Sequence, residues 1–232
     1  DSSTIVALMQ EHSLKKIKTF SIGFEDKRYN EAKHARLIAK HIGTDHHDMF
    51  ITSKDALNTL SLLPDMFDEP FADSSQIPMY FASKIAKSKV TVCLSGDGGD
   101  ELFGGYNRYL ITSKYWSKIV KMPNIAKHTL AYLIKAINPL MLDKISNYIY
   151  KDKYSNFGSK LQKGADSLNS KDADDLYLNL ISTIKNPTEW LINSEEYTRI
   201  NHNFDPRISD IESMMIKDLV GYLSTDILTK VD

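Results

Sequence analysis

The chain has 232 residues, 42% apolar and 25% charged, with a formal net charge of -1. That length can bury a substantial core as one large or two small domains, and the balanced composition excludes a disordered, collagen-like or low-complexity protein. A single cysteine excludes an internal disulfide and points to a reducing, cytoplasmic compartment. Near-neutral charge argues against whole-surface attraction to nucleic acid or anionic lipid. The longest apolar runs fall short of a bilayer span, Lys135 interrupting Leu130–Ile134. The chain opens at Asp1 and stops after Lys230-Val231-Asp232, which reads as a fragment.

Along the chain, Ile5, Leu8 and Met9 share one helical face and predict a helix from about Ser2 to His12. Alternation of Phe20, Ile22 and Phe24 predicts a strand over Lys18–Phe24. Ala35, Ile38, Ala39 and Ile42 stand at helical spacing, with Gly43 just past the last turn. His46–Ile51 reads as a second strand, and Lys54–Leu63 as a helix halted before Pro64. Ser75 is placed to cap a further helix whose inner face carries Ile77, Tyr80, Phe81 and Ile85, with Pro78 in its first turn. Val90–Leu94 is a short continuous apolar run, the mark of a strand covered on both faces, so Cys93 should be buried there. Such alternation predicts an α/β layer structure with a parallel sheet. Beyond Gly105 the strand signals fade, and helices separated by Pro123, Pro139, Gly164 and Pro187 continue to the end. The expected plan is an α/β part at 1–105 and a helical part at 106–232.

The segment Leu94-Ser95-Gly96-Asp97-Gly98-Gly99-Asp100-Glu101-Leu102-Phe103-Gly104-Gly105-Tyr106 is the richest in chemistry. If it follows a parallel strand, it lies at the sheet edge where open α/β folds bind ligands. Its glycines let backbone N–H groups approach a ligand, while Asp97, Asp100 and Glu101 would repel a bare phosphate unless a divalent cation intervenes. The plainer reading is an acidic turn opening a helix, worth ~0.3–1 kcal/mol against the helix dipole. The spacing matches neither a Walker loop nor a dinucleotide fingerprint. Asp1-Ser2-Ser3-Thr4 could serve an anion at a helix N-terminus or be an ordinary cap. Asp68-Glu69-Pro70-Phe71-Ala72-Asp73-Ser74-Ser75 is an acidic turn ahead of a helix. Gly23 admits a flat ligand against the backbone or marks a bulge.

Taken together these segments resemble a known family. Asp1-Ser2-Ser3 is similar to the tail of the SGGxDSS pyrophosphate loop of ATP pyrophosphatases. Phe20–Phe24, Tyr29-Asn30-Glu31-Ala32, His41-Ile42-Gly43-Thr44, Asp68–Ser75 and Leu94–Tyr106 resemble the synthetase domain of glutamine-hydrolysing asparagine synthetases. So do Asp218, Tyr222-Leu223 and Asp226–Asp232. The resemblance implies an adenine nucleotide alpha-hydrolase-like (HUP-type) parallel sheet and ATP-dependent amidation of aspartate through a β-aspartyl-AMP intermediate. It implies Asp1 and Asp100 as Mg²⁺ ligands and Ser2 and Ser3 on the pyrophosphate. Ser95 and Gly96 would touch the nucleotide, Ile22 and Gly23 would flank adenine, and Lys230 and Asp232 would approach the pocket. Asp97 stands where many members carry glutamate, a shorter acid at a position that orders the active site. Ammonia would come from glutamine through a glutaminase domain that lies outside these residues, as do the SGG of the loop and its strand. ATP turnover by residues 1–232 alone is therefore expected to be weak or absent.

Two rival readings accompany this one. Amidotransferases and cyclases that close β-lactam or lasso-type amides, or amidate cell-surface sugars, share the adenylation step and its motifs. A non-enzymatic RNA-binding module is suggested by Leu102–Leu142, which contains no acid but carries Arg108, Lys114, Lys118, Lys121, Lys127 and Lys135 among Tyr109, Tyr115 and Trp116. The same spacing suits helices with solvated lysines and buried aromatics. His46 and His47 are neighbours on a strand, point to opposite faces and make a poor metal site. No membrane partner is expected, and a homodimer is compatible with the family.

Overall fold

A computed structural model describes residues 1–26, 30–67, 73–150, 156–182, 184 and 207–231. By compactness the chain divides into Asp1–Gly104 with Lys217–Asp232, and Gly105–Ile216. The closing segment thus groups with the α/β part rather than with the helices before it.

In the α/β unit, α1 spans Ser2–Glu11, β1 Lys18–Phe24, α2 Ala32–Ile42 and β2 Asp45–Ile51. The strands pair in parallel from Lys18↔Asp45 to Phe24↔Ile51, and α2 supplies the crossover that a parallel pair requires. Gly43 ends α2 at φ 87°, where a Cβ would be strained, and its N–H bonds the Ala39 carbonyl at 2.8 Å. Residues paired in register share a side of the ladder. Thr19, Ser21, Gly23, His46, Asp48 and Phe50 therefore form one face, and Phe20, Ile22, Phe24, His47, Met49 and Ile51 the other. The stacking of Phe20 on His47, centroids 5.7 Å apart, follows from that register.

Three expectations for this unit need correction. The helix expected over Lys54–Leu63 breaks into α3 (Ser53–Thr59), a 3₁₀ turn at Leu60–Leu62 and α4 (Leu63–Met66). Pro64 does not halt a helix but falls in the first turn of α4, where its missing N–H costs nothing. Ser75 does precede α5 (Gln76–Lys87), but its side chain caps no amide of that helix.

Val90–Leu94 is the third correction, because it is not a strand: among the described residues the sheet has two strands and this run joins neither. A five-residue apolar run has no period that names its partner. Without a neighbouring ladder its backbone stays irregular, leaving Val92 77% exposed. Cys93, expected inside, is exposed.

The second unit is helical. Here α7 (Asn107–Ile111) runs through a π-helical turn at Thr112–Trp116 into α8 (Ser117–Val120), followed by α9 (Asn124–Ala136), α10 (Pro139–Tyr150), α11 (Phe157–Ser167) and α12 (Ala173–Ile181). Next comes α13 (Asp210–Lys217). Tyr109, Trp116, Leu176, Tyr177 and Met214 form its core. Pro123 and Pro139 stand at helix starts as expected, whereas Gly164 lies inside α11 and separates nothing. Pro187 is outside the described residues. Two of the three aromatics that suggested nucleic-acid stacking, Tyr109 and Trp116, are core residues, and Lys127 is buried beside Ala131 on α9. Apolar burial thus overrides the basic pattern, leaving Tyr115 exposed among Lys114, Lys118 and Lys121.

Candidate functional site

The α/β unit carries a cavity of about 560 Å³ at the carboxyl ends of its strands. Ile22 and Phe24 of β1 and Ile51 of β2, all on one face of the ladder, line it together with Ala56 of α3 and Ile77 and Pro78 of α5. Hydroxyls of Thr52, Ser53, Ser74 and Ser75 and the acids Glu25, Asp26 and Glu31 complete the lining. An apolar floor with a few polar groups suits a small organic ligand. The carboxyl edge of parallel strands is where α/β folds offer such sites.

Opposite in character is the other face. Asp48 accepts hydrogen bonds from Ser21 Oγ at 2.5 Å and from Arg36 Nε of α2. His46 Nε2 lies 2.8 Å from the same carboxylate, while its Nδ1 lies 2.9 Å from Thr19 Oγ1. In the neutral ring the proton therefore sits on Nε2, and Nδ1 accepts from Thr19. Burial alone would raise the Asp48 carboxyl, but the Ser21 and Arg36 hydrogen bonds and the neighbouring His46 hold it below its ordinary value. Gly23 sits under the Phe50 ring, where a Cβ would lie 2.6 Å from the nearest ring atom. The smallness of Gly23 thus serves Phe50; the strand carries no bulge there, and Ile22 alone of this pair reaches the cavity.

A second locus brings the glycine segment to the first helix. A Cβ on Gly96 would lie 2.6 Å from Ser2 Oγ and 2.7 Å from Ser2 N, and one on Gly99 would lie 2.6 Å from Asp1 Oδ2. Backbone can approach that closely only at glycine. Gly98, at φ 87°, turns the chain into α6 (Gly99–Phe103), and Leu223 packs 3.8 Å from where its Cβ would be. Asp1 is the N-cap of α1 but makes no side-chain cap, leaving its carboxylate beside Gly99. Ser3, Ser95 and Asp97 are exposed, Asp100 is half-buried, and Glu101 is turned fully inside.

The closing segment, a π-helical stretch at Asp218–Ile227 followed by α14 (Leu228–Val231), supplies a third locus. Lys230 Nζ donates to Asp73 Oδ2 at 3.1 Å and to Ser75 Oγ at 2.8 Å. Burial would raise Asp73, but the Ser75 hydroxyl, the Ser75 amide and Lys230 hold it low. Burial and repulsion from Asp73 push Asp226 up, against the pull of Lys230. The pairing of Lys230 with Asp73 and Ser75 and the buried Glu101 and Asp218 escaped sequence reading, since no local spacing links residues so far apart. Asp232, Tyr29 and the Asp68–Ala72 part of the acidic turn lie outside the described residues. Among those described, no group of three or more His, Cys, Asp and Glu gathers as a metal site, and no helix is long and apolar enough to cross a membrane.

Over its whole length, residues 1–232, the sequence matches the family model described as asparagine synthase. The chain belongs to that family. A putative glutamine-hydrolysing asparagine synthetase of Methanocaldococcus jannaschii is 44% identical over 111 residues, 47% of this chain and 21% of that protein. A glutamine-hydrolysing asparagine synthetase of Bacillus subtilis is 44% identical over 109 residues, 47% of this chain and 17% of the relative. That of Gallus gallus is 34% identical over 116 residues, 46% and 20% of the two lengths. These matches span about a fifth of the relatives' lengths. For a family member, a helix-rich α/β architecture with a small parallel sheet is the fitting frame.

Proposed function

We propose that this chain is the nucleotide-binding and acid-activating part of an ATP-dependent amide-forming enzyme, with aspartate as the acid and ammonia as the nucleophile. The observation that carries the reading is the contact of Gly96 and Gly99 with Ser2 and Asp1. It brings Asp1 and Ser2 against Gly96 and Gly99, and we take their chain neighbours Ser3, Ser95, Asp97 and Asp100 to share that site, a mixture of carboxylates, hydroxyls and backbone N–H groups. Such a mixture suits a cation-bridged polyphosphate rather than a bare anion. Membership of the asparagine synthase family supports ATP-dependent amidation as the chemistry.

A carboxylate is a poor electrophile. Attack of the aspartate side-chain oxygen on the α-phosphorus forms a carboxyl–phosphate bond and expels pyrophosphate. Ammonia then attacks the activated carbonyl carbon, AMP leaves with the carbon–oxygen electron pair, and the surplus nitrogen proton passes to solvent. The chain's part is placement and charge compensation. Ile22 and the apolar floor would hold the adenine, and the amides and hydroxyls of Ser2 and Ser3 at the start of α1 would meet the pyrophosphate oxygens. Asp1 and Asp100 would hold Mg²⁺, which would supply positive charge against the phosphates. Asp97 would order the loop around the reacting carboxylate. Ammonia would come from glutamine through a glutaminase domain such as the relatives' names imply.

Calorimetry with Mg·ATP tests the reading directly. Binding by the 232-residue chain is expected, with Asp1→Ala weakening it about thirtyfold by loss of the metal-side carboxylate. Undetectable binding, or binding indifferent to Asp1→Ala, overturns it. In a protein that also carries the glutaminase part, AMP formation with aspartate and glutamine, but not with other carboxylic acids, separates aspartate amidation from the cyclases and sugar amidotransferases.

A further inference from the structure

Lys230 does not line the cavity, yet its side chain is only 8% exposed. Burying an ammonium costs several kcal/mol, on the order of the desolvation of one ion, unless hydrogen bonds and countercharge compensate. Here Asp73 and Ser75 do so, and Ser75 is itself part of the cavity lining. The Ser75 hydroxyl that accepts from Lys230 donates onward to Asp73 Oδ2, and the Ser75 amide bonds Asp73 Oδ1 at 2.9 Å. Lys230, Asp73 and Ser75 thus close a ring of hydrogen bonds around the turn that opens α5. That turn and its continuation, Ser74, Ser75, Ile77 and Pro78, form one side of the cavity. Asp226 stands one helical turn before Lys230, with a buried Oδ1 that has no hydrogen-bond partner among the described residues. Losing the ammonium would leave Asp73 and Asp226 to repel each other beside that turn.

We infer that Lys230 is a positioning residue for the cavity: through Asp73 and Ser75 it fixes the first turn of α5, so the closing helix sets the width of a pocket whose ligand it does not touch. The affinity half of this inference rests on the nucleotide reading above; the structural half does not. Amide hydrogen exchange on the whole ligand-free chain and Mg·ATP calorimetry test the two halves separately. Lys230→Met is expected to speed exchange at Ser75, Gln76, Ile77 and Met79 about tenfold, leave β1 and α2 unchanged, and weaken Mg·ATP about tenfold. Lys230→Arg, which keeps the charge and the donors, is expected to bring both within about threefold of the parent. Should Lys230→Met fail to fold, Ser75→Ala removes one acceptor of the ring and is expected to give about threefold effects at the same amides.

Unchanged exchange at α5, or acceleration spread evenly over the unit, overturns the inference. Weakened Mg·ATP with α5 exchange unaltered overturns it too, because the lysine would then be touching the ligand. If the parent chain binds no Mg·ATP, the nucleotide reading fails, and exchange at α5 alone decides the structural half.

Discussion

The two faces of the β1–β2 ladder are built from the same fourteen residues in alternation, yet they end in opposite states. On one, Thr19, Ser21, His46 and Asp48 satisfy each other and Arg36 of α2 closes over them. On the other, Ile22, Phe24 and Ile51 meet no such lid at their carboxyl ends and leave a cavity. A serine, a histidine and an aspartate together invite a catalytic interpretation. But Ser21 donates to Asp48, and the neutral His46 ring donates its Nε2–H to the same carboxylate and accepts from Thr19 at Nδ1, so the Nε2 that faces Ser21 at 3.3 Å has no lone pair to activate it. A saturated polar cluster is structure; an open apolar floor rimmed by hydroxyls and acids is where a ligand gains by entering.

Substitutions confined to one face should therefore separate binding from stability. The largest effect is expected from Ala56→Trp, which fills the cavity from α3: about a hundredfold loss of Mg·ATP affinity by calorimetry, with a urea midpoint close to the parent's. Asp48→Ala should do the reverse. It strips the acceptor from Ser21, His46 and Arg36, and a loss of about 2 kcal/mol in urea unfolding is expected, with the folded protein's affinity intact. An Asp48→Ala protein of normal stability that no longer binds nucleotide would invert the assignment of the two faces. Gly23→Ala is milder at about 1 kcal/mol, because the Phe50 ring it strikes is half exposed and can swing outward.

Much of this contrast was legible in the sequence. The alternation in Lys18–Phe24 and His46–Ile51 gives both strands to within a residue, and the period of two assigns His46 and His47 to opposite faces. The glycines at 96 and 99 suggested room for a ligand against the backbone, and the family resemblance set the opening helix at the same site; local spacing alone did not name Asp1 and Ser2 as their neighbours. What failed is instructive. Val90–Leu94 has a strand's composition, but a strand is a relation between two segments, and composition names only one. The Lys230 ring failed for the same reason, being a contact between residues 155 positions apart with no local period to betray it.

The smallest expected effect concerns two carboxylates that differ as the two faces do. Asp48 is fully partnered and its carboxyl is held below the ordinary value, so it contributes stability above that value that is lost as pH falls through its folded pKa. Asp226 has a buried oxygen with no partner among the described residues and its carboxyl is raised, so the sign reverses. Ionised Asp226 costs stability above its folded pKa, and the cost vanishes once pH falls below the ordinary carboxylate range, where it is protonated in both states. Asp226→Asn should accordingly stabilise the chain at pH 7 by less than about 1 kcal/mol, and the gain should disappear on acidification. Urea midpoints at pH 7 and near pH 3 measure this, with Asp48→Asn as the opposite-signed control. A gain for Asp226→Asn that persists unchanged in acid would mean that packing, not charge, is what the buried oxygen disturbs.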